Sequence, residues 1–182
     1  VATLDRGLVN LIVEKGMSAL DSLPDGIKNN PAAAAETIVN NVRRTIVDER
    51  AMNPKYYDSM SKLLDDLIDQ QKQDAAAYAD YLKDLVALAA QVGTGAPIGT
   101  YPGWASTPAR RALVDFIWPP DIVIDAEDVF RTVQRQKEHD WVSQPMKRKA
   151  LARALHDALP TGFPLATIDD LLNLLGQHNE FR

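Results

Sequence analysis

The stretch "NPKYYDSMSKLLDDLIDQQ", residues 53–71, decides the fold. Asn53 is a favoured N-cap residue, and Pro54 stands at the first helical position, where its missing N–H costs nothing. Behind them, apolar side chains recur at three- and four-residue steps, the period of an amphipathic helix: Tyr57, Met60, Leu64, Leu67 and Ile68. The stretch therefore predicts a helix that packs on one side.

A second apolar stripe follows and raises the question of one helix or two. It runs through Tyr78, Leu82, Leu85, Ala89 and Val92. A single helix would carry the polar residues Gln71 and Asp74 in its contact seam. A hairpin bent near residues 72–74, with Asp74 as a new N-cap, avoids that cost, so we predict a hairpin and keep a long kinked helix as the alternative.

Upstream, two more helices are predicted. The first spans about four turns and carries Leu4, Leu8, Leu11, Ile12 and Met17. Asn30 and Pro31 repeat the cap signal and open the second, whose apolar side chains are Ile38, Val39, Val42 and Ile46.

The glycine- and proline-rich stretch "VGTGAPIGTYPG", residues 92–103, predicts a flexible connector between two helical subdomains. Thr107 with Pro108 and Asp125 are predicted to cap the next two helices, and residues 121–125 form a possible extended piece. A helix is predicted over 146–159, and Thr167 is predicted to cap the last one, with Asp170 completing a short capping box.

These signals together predict an all-α bundle of about seven to eight helices in two subdomains. Residues 1–92 form the N-terminal subdomain of two helices and a hairpin, residues 93–106 the connector, and residues 107–182 the C-terminal subdomain.

Composition limits the possible functions. The 182 residues carry a net charge of −5 and no cysteine, which excludes disulfides, thiolate metal sites and cysteine nucleophiles. No apolar run approaches the roughly 20 residues of a membrane helix, so we expect no membrane partner. The absence of cysteine fits a reducing compartment, so we expect a cytoplasmic protein. Because the first residue is Val1 rather than methionine, we expect a piece of a longer chain.

No pattern of side chains points to catalysis. The chain lacks a phosphate-binding P-loop, and neither Pro-Asp pair (24–25, 120–121) is followed by the acidic-x-Lys triplet of a metal nuclease. His139, His156 and His178 are too far apart for a helical metal pair, and each is predicted to be a surface or capping residue. We therefore predict no catalytic, metal or cofactor residues in this chain.

The second half of the chain is mildly basic. Between residues 106 and 155 there are nine lysines and arginines against seven acids, whereas residues 58–84 have three against seven. Lys149, Arg153 and His156 share one stripe of the 146–159 helix, opposite Leu151 and Leu155. Such a stripe could contact phosphates together with Arg131 and Arg135, or it could be an ordinary solvated face.

Aromatic residues offer fewer candidates for contact. Tyr56 lies one position off the apolar stripe, where it could anchor a partner or pack against the preceding helix. Trp104, Trp118 and Trp141 are predicted to be core or inter-subdomain anchors.

A resemblance to a protein family adds to what the individual residues indicate. The stretches "ETIVNNVRRTIVDERAMNPKYYDSMSKLLDDLIDQQ" (36–71) and "YADYLKDLVALAAQV" (78–92) resemble the C-terminal helical region of the restriction (R, motor) subunit of type I restriction-modification enzymes. The motifs that carry it are Asn41-Val42-Arg43-Arg44, Asp48-Glu49, Asn53-Pro54-Lys55-Tyr56-Tyr57, Leu63-Leu64 and Tyr81-Leu82. "LIVEKGMSALDSLPDGIKNN" (11–30), "HDW" (139–141) and "MKRKALARAL" (146–155) extend the likeness, although Val142 and Ser143 stand where the family usually has arginine and glycine.

The resemblance implies a non-catalytic role. In that family the subunit is an ATP- and Mg²⁺-dependent DNA translocase and endonuclease whose motifs lie N-terminal to this region. This piece would then dock the motor onto the methyltransferase and specificity subunits and meet DNA through the complex. The alternatives are a module that contacts duplex DNA directly and a free-standing helical adaptor.

Overall fold

The computed structural model describes residues 7–73, 78–95, 101–117, 125–159 and 165–182. Within these ranges every regular element is helical, so the all-α prediction is confirmed. The α-helices are α1 (Gly7–Lys15), α2 (Asp25–Lys28), α3 (Pro31–Glu49), α4 (Pro54–Gln73), α5 (Tyr78–Thr94), α6 (Pro108–Ile117), α7 (Ala126–Gln136), α8 (Pro145–Ala158) and α9 (Leu165–Gln177). Two 3-10 helices span Gly16–Ser22 and Asn179–Phe181.

Three helix starts lie where the sequence places them, each with its cap bond. Asn30 accepts hydrogen bonds from the Ala32 and Ala33 amides at the start of α3. Thr107 accepts from the Arg110 amide at the start of α6. Asp125 accepts from the Glu127 amide at the start of α7. Each cap satisfies amides that have no partner inside the helix.

The first helix is shorter than predicted. α1 ends at Lys15, and Gly16, the first residue of the 3-10 helix, adopts a left-handed backbone with φ +58°. This turn takes Met17 out of the stripe, so its side chain is 44% exposed. Leu4 lies outside the described residues. A glycine at the end of a periodic run is a common helix stop. The prediction passed over Gly16 because the apolar spacing continues to Met17.

α4 and α5 are two helices, as the hairpin prediction requires. The Tyr56 hydroxyl, in the first turn of α4, donates to the Gln91 carbonyl in the last turn of α5 over 2.7 Å. One straight helix would hold these residues roughly 50 Å apart, at about 1.5 Å of rise per residue. The predicted bend and the Asp74 cap lie outside the described residues.

The chain divides into two compact units. Unit 1 comprises residues 1–50 and 56–98, and unit 2 comprises residues 51–55 and 99–182. The short stretch 51–55, which follows α3 and includes the first two residues of α4, thus groups with the C-terminal unit, which the predicted boundary did not anticipate. No sequence signal marks this, because a stretch of five residues carries no periodicity of its own.

Unit 1 is built around α1, α3, α4 and α5. Its core contains most of the predicted apolar stripes. The stripe residues at most 5% exposed are Leu8, Ile12, Ile38, Val42, Ile46, Met60, Leu64, Leu85, Ala89 and Val92. Tyr78, the first residue of the α5 stripe, is 44% exposed, and Leu67, Ile68 and Leu82 are partly buried. α1 and α5 approach closely at Gly93, where an added Cβ would lie 2.6 Å from a Val13 methyl and 2.9 Å from a Val9 methyl. Glycine at this position therefore allows the two helices to pack at this distance.

Unit 2 is built around α6, α7, α8 and α9. Its core contains Leu113, Val133, Trp141, Leu151, Leu155, Ile168, Leu171, Leu175 and Phe181, each at most 2% exposed. The Trp141 indole Nε1–H donates to the Phe181 carbonyl over 2.6 Å. Trp141 is therefore a core anchor, as predicted, and it holds the 3-10 helix Asn179–Phe181 in place.

Part of the predicted connector is packed rather than flexible. Ala105 is 2% exposed, and the Trp104 ring stacks on Phe130 with centroids 5.5 Å apart. At the other end α5 continues through Thr94, and Gly95, with φ +67°, ends it. A count of glycines and prolines missed this because tryptophan and alanine within the run supply core contacts. Trp118 and residues 121–124 lie outside the described residues.

The predicted cap of the last helix is wrong. α9 begins at Leu165, so Thr167 lies within its first turn. The sequence signal Thr-x-x-Asp resembles a capping box but lies inside the helix, because Leu165 and Ala166 are already helical. The apolar side chains predicted for this helix are buried.

Candidate functional site

Tyr56 is part of the core of unit 1. Its side chain is 6% exposed, its ring meets Tyr57 edge to face with centroids 5.1 Å apart, and its hydroxyl donates to the Gln91 carbonyl. The structure therefore contradicts Tyr56 as a partner contact and supports the packing alternative. The acceptor lies on α5 rather than on the preceding helix.

Asn53, the first residue of the motif Asn53-Pro54-Lys55-Tyr56-Tyr57, has a role inside unit 2. It is 7% exposed, and its amide Nδ2 donates to Asp115 Oδ2 over 2.6 Å. The same carboxylate oxygen accepts from the Tyr101 hydroxyl over 2.7 Å. A half-buried carboxylate with two such donors ties residues 51–55 to α6.

Arg131 and Arg135 lie on the exposed side of α7. Arg131 pairs with Glu127 one turn earlier over 2.6 Å, and the Arg135 Nε donates to the Arg131 carbonyl. Both guanidinium groups are thus partly occupied within their own helix. An exposed pair of this kind contributes only a few tenths of a kcal/mol, so either arginine could still turn to an outside partner.

Lys149, Arg153 and His156 lie on one exposed side of α8. Leu151 and Leu155, on the opposite side, are 1% and 0% exposed. The predicted stripe is therefore present and faces outward. The His156 Nδ1 lies 3.5 Å from an Asp157 carboxylate oxygen. The structure thus brings three of the six candidates together on α8, with the two arginines on α7 and Tyr56 in the other unit.

Unit 2 also contains a groove between residues 51–55, α6 and α9, with a volume of about 370 Å³. It is lined by Ala51, Asn53, Pro54, Lys55, Ala112, Phe116, Asp170, Asn173, Leu174 and Gln177. The Lys55 ammonium lies 5.9 Å from the centre of the Phe116 ring. Asn53 donates to Asp115 on α6, and Asn173 on α9 accepts from Arg148 on α8. Two of the amides that line the groove therefore already have hydrogen-bond partners within unit 2. The groove can hold an apolar side chain.

His178 was predicted to be a surface or capping residue. It precedes the 3-10 helix Asn179–Phe181, but its side chain makes no cap hydrogen bond and is buried. It is 4% exposed, with its Nε2 2.8 Å from the Met52 carbonyl. Because a carbonyl only accepts, Nε2 carries the proton. Burial lowers the pKa of His178, against the hydrogen bond to Met52 and the Glu180 carboxylate, which both raise it. Three widely spaced histidines gave no sequence signal for this role.

Glu180 forms a polar cluster that sequence reasoning missed. Its carboxylate accepts from the Thr107 hydroxyl over 2.5 Å and from the Arg110 Nε over 2.6 Å. Burial raises the pKa of Glu180, but these two hydrogen bonds and the charge of Arg110 outweigh it, so the net pKa is lowered. The partners are about seventy residues apart, which no local pattern reveals.

The described ranges contain neither a cluster of metal-binding side chains nor a membrane-spanning helix. Within residues 7–73, 78–95, 101–117, 125–159 and 165–182, no group of three histidine, aspartate or glutamate side chains could hold a metal ion. In the same part of the chain, no helix combines the length and the apolar character needed to cross a bilayer. Of the polar side chains described above, Tyr56 joins α4 to α5 within unit 1, and Asn53, His178 and Glu180 form hydrogen bonds between segments of unit 2.

Comparison of the chain with protein-family models, with curated proteins and with solved structures found no match.

Proposed function

We propose that this chain is a non-catalytic assembly domain from the C-terminal part of a type I restriction motor subunit. It would dock the motor onto the methyltransferase and specificity subunits in the cytoplasm and meet DNA through that complex. The proposal rests on the resemblance of residues 36–71 and 78–92 to that region, together with the use that the fold makes of those residues.

The observation that carries the proposal is the internal use of the motif Asn53-Pro54-Lys55-Tyr56-Tyr57. Within unit 1, the Tyr56 hydroxyl binds a carbonyl of α5. Within unit 2, Asn53 donates to Asp115. Residues that define the likeness are therefore structural, as expected for a scaffold, and the outward helix faces remain available for a partner. A helical surface can form an oriented interface without a catalytic group.

A binding experiment with the cognate methyltransferase–specificity complex tests the proposal. We expect the purified chain to bind that complex in isothermal titration calorimetry with micromolar affinity or better, about −8 kcal/mol. A methyltransferase–specificity complex of an unrelated recognition system is the control and should not bind. No heat of binding to the cognate complex at about 100 µM would refute the proposal.

Direct contact with duplex DNA is the second candidate, and one observation favours it. Among the described residues, Lys149 and Arg153 are exposed and form neither an ion pair nor a hydrogen bond. Two phosphate contacts would give a salt slope near −1.8, which weakens binding about tenfold between 50 and 200 mM salt. Fluorescence anisotropy with a labelled duplex measures this. Absence of DNA binding at 50 mM salt would exclude the candidate.

A further inference from the structure

The cations of α8 fall into two groups. Lys147 and Arg148 are used inside unit 2: Lys147 Nζ donates to the His139 carbonyl over 2.8 Å, and Arg148 pairs with Asp169 over 2.5 Å. Lys149 and Arg153 differ, because within the described ranges neither forms an ion pair or a hydrogen bond. Among the described residues, these two positive charges of α8 are therefore exposed, one turn apart and without a partner.

An apolar side chain accompanies these charges. Met146 is 80% exposed, the most exposed of the large apolar residues in the described ranges. With about 100° of rotation per residue, Met146, Lys149, Ala150 and Arg153 lie on the same side of the helix. We call these four residues the α8 face. Leu151 and Leu155 occupy the opposite side and pack in the core.

We propose that the α8 face is the docking surface of this domain, and that its occupant is an acidic, amphipathic helix of a partner protein. This inference rests on the proposed assembly function and adds to it a surface and a chemistry. The partner would place one apolar side chain against Met146 and carboxylates against Lys149 and Arg153. Methionine suits such a contact because its unbranched side chain adapts to irregular apolar surfaces.

The dimensions of the face suit a helix. Residues 146 to 153 span two turns, about 10 Å at roughly 1.5 Å per residue. Carboxylates three or four residues apart on a partner helix lie on one side of it and match the four-residue spacing of Lys149 and Arg153. A partner helix can therefore meet both charges and the methionine along a single stripe.

Two observations favour a protein over a nucleic acid. Met146 gains nothing from a phosphate backbone but is stabilised by burial against an apolar group. Unit 2 as a whole holds eleven lysines and arginines against eleven aspartates and glutamates, so no net charge draws DNA to it.

Substitutions on the α8 face test the proposal in the calorimetric assay with the full chain and the cognate methyltransferase–specificity complex. We expect the double variant Lys149→Glu/Arg153→Glu to bind at least tenfold more weakly, because it sets like charges against the partner's carboxylates. Met146→Gln should weaken binding about threefold or more. The matched control Lys62→Glu/Lys72→Glu changes the net charge equally on α4 and should bind as the wild type does.

The outcomes separate this inference from the proposed function. Wild-type binding that the α8 variants leave unchanged would overturn the α8 face and retain the assembly function. No binding by the wild type would overturn both. Binding of a labelled DNA duplex that is lost in Lys149→Glu/Arg153→Glu but unchanged in Met146→Gln would assign the face to DNA and overturn the protein partner. Tryptophan fluorescence of each variant verifies that unit 2 is folded.

Discussion

Replacing Trp141 with phenylalanine tests whether its single hydrogen bond holds unit 2 together. The indole is 0% exposed, and its Nε1–H donates to the carbonyl of Phe181, whose side chain is also 0% exposed. Removing the donor leaves a buried carbonyl unpaired, at a cost of about 1–3 kcal/mol. The smaller ring leaves a cavity of roughly 40 Å³, which adds roughly 1 kcal/mol at about 24 cal/mol per Å³. We expect a total loss of about 2–4 kcal/mol.

Trp104→Phe is the matched control. Trp104 also belongs to unit 2 and packs on Phe130, but its side chain is only half-buried and forms no hydrogen bond within the described ranges. The same change of ring there should cost about 1 kcal/mol or less. The difference between the two variants, about 1–3 kcal/mol, measures the hydrogen bond to Phe181.

Urea unfolding followed by tryptophan fluorescence is the assay. All three tryptophans, residues 104, 118 and 141, belong to unit 2, so the signal reports the unfolding of that unit alone, and each variant keeps two of them. The free energy of unfolding comes from the linear dependence on urea. Equal losses in Trp141→Phe and Trp104→Phe would refute the role assigned to the hydrogen bond.

Three further predictions concern other contacts. Gly93→Ala should destabilise unit 1 by about 1–3 kcal/mol, because the new methyl overlaps Val9. The control Gly26→Ala has open space around its Cβ and should be near neutral. Thermal unfolding followed by circular dichroism compares the two, and equal effects would contradict the close packing of α1 on α5. Tyr56→Phe should lower the free energy of unfolding of unit 1 by about 1–2 kcal/mol, because the hydrogen bond to the Gln91 carbonyl is lost. Tyr78 is 44% exposed, so Tyr78→Phe should change that free energy by nothing measurable. A Tyr56→Phe variant as stable as the wild type would argue against the hydrogen bond. Because burial lowers the pKa of His178 below the unfolded value of 6.5, the unfolded chain binds its proton more readily, and the stability of unit 2 should fall as the pH drops below about 6.5. Urea unfolding at pH 7.5 and 5.5 measures this fall in stability. His178→Gln should reduce the fall, whereas His139→Gln, at an exposed position, should leave it unchanged. A fall of the same size in His178→Gln would refute the assignment of the pH dependence to His178.

Much of the helical framework could be read from local signals. Asn30, Thr107 and Asp125 lie at helix starts because their side-chain oxygens accept from amides two or three residues away, a contact that needs no tertiary partner. The stripe that includes Leu64 and Leu85 is buried because the period of the helix sets which side chains face the core. The exposure of Lys149 and Arg153 opposite Leu151 follows from the same period.

Where local signals compete, the prediction was less accurate. Gly16 ended α1 although the apolar spacing continued to Met17, and the Thr-x-x-Asp signal at Thr167 fell inside α9. The position of Tyr56 on the helix left two roles open, partner contact or packing, and its burial favours packing. The choice depends on whether another helix presents an acceptor, and α5 does.

The amino-acid sequence by itself determined the helical class, most helix starts and the outward direction of the α8 charges, because each depends on residues within a few positions of one another. Only the tertiary structure decided that His178 is buried, that Glu180 pairs with Arg110, and that residues 51–55 group with unit 2. The Glu180–Arg110 pair and the hydrogen bond between His178 and the Met52 carbonyl join residues about seventy or more positions apart, and they form only when the helices pack. Residues 51–55 are separated in sequence from the rest of unit 2 by residues 56–98. Helical periodicity states which side of a helix is apolar, and the packed fold supplies the partner for each polar group buried there.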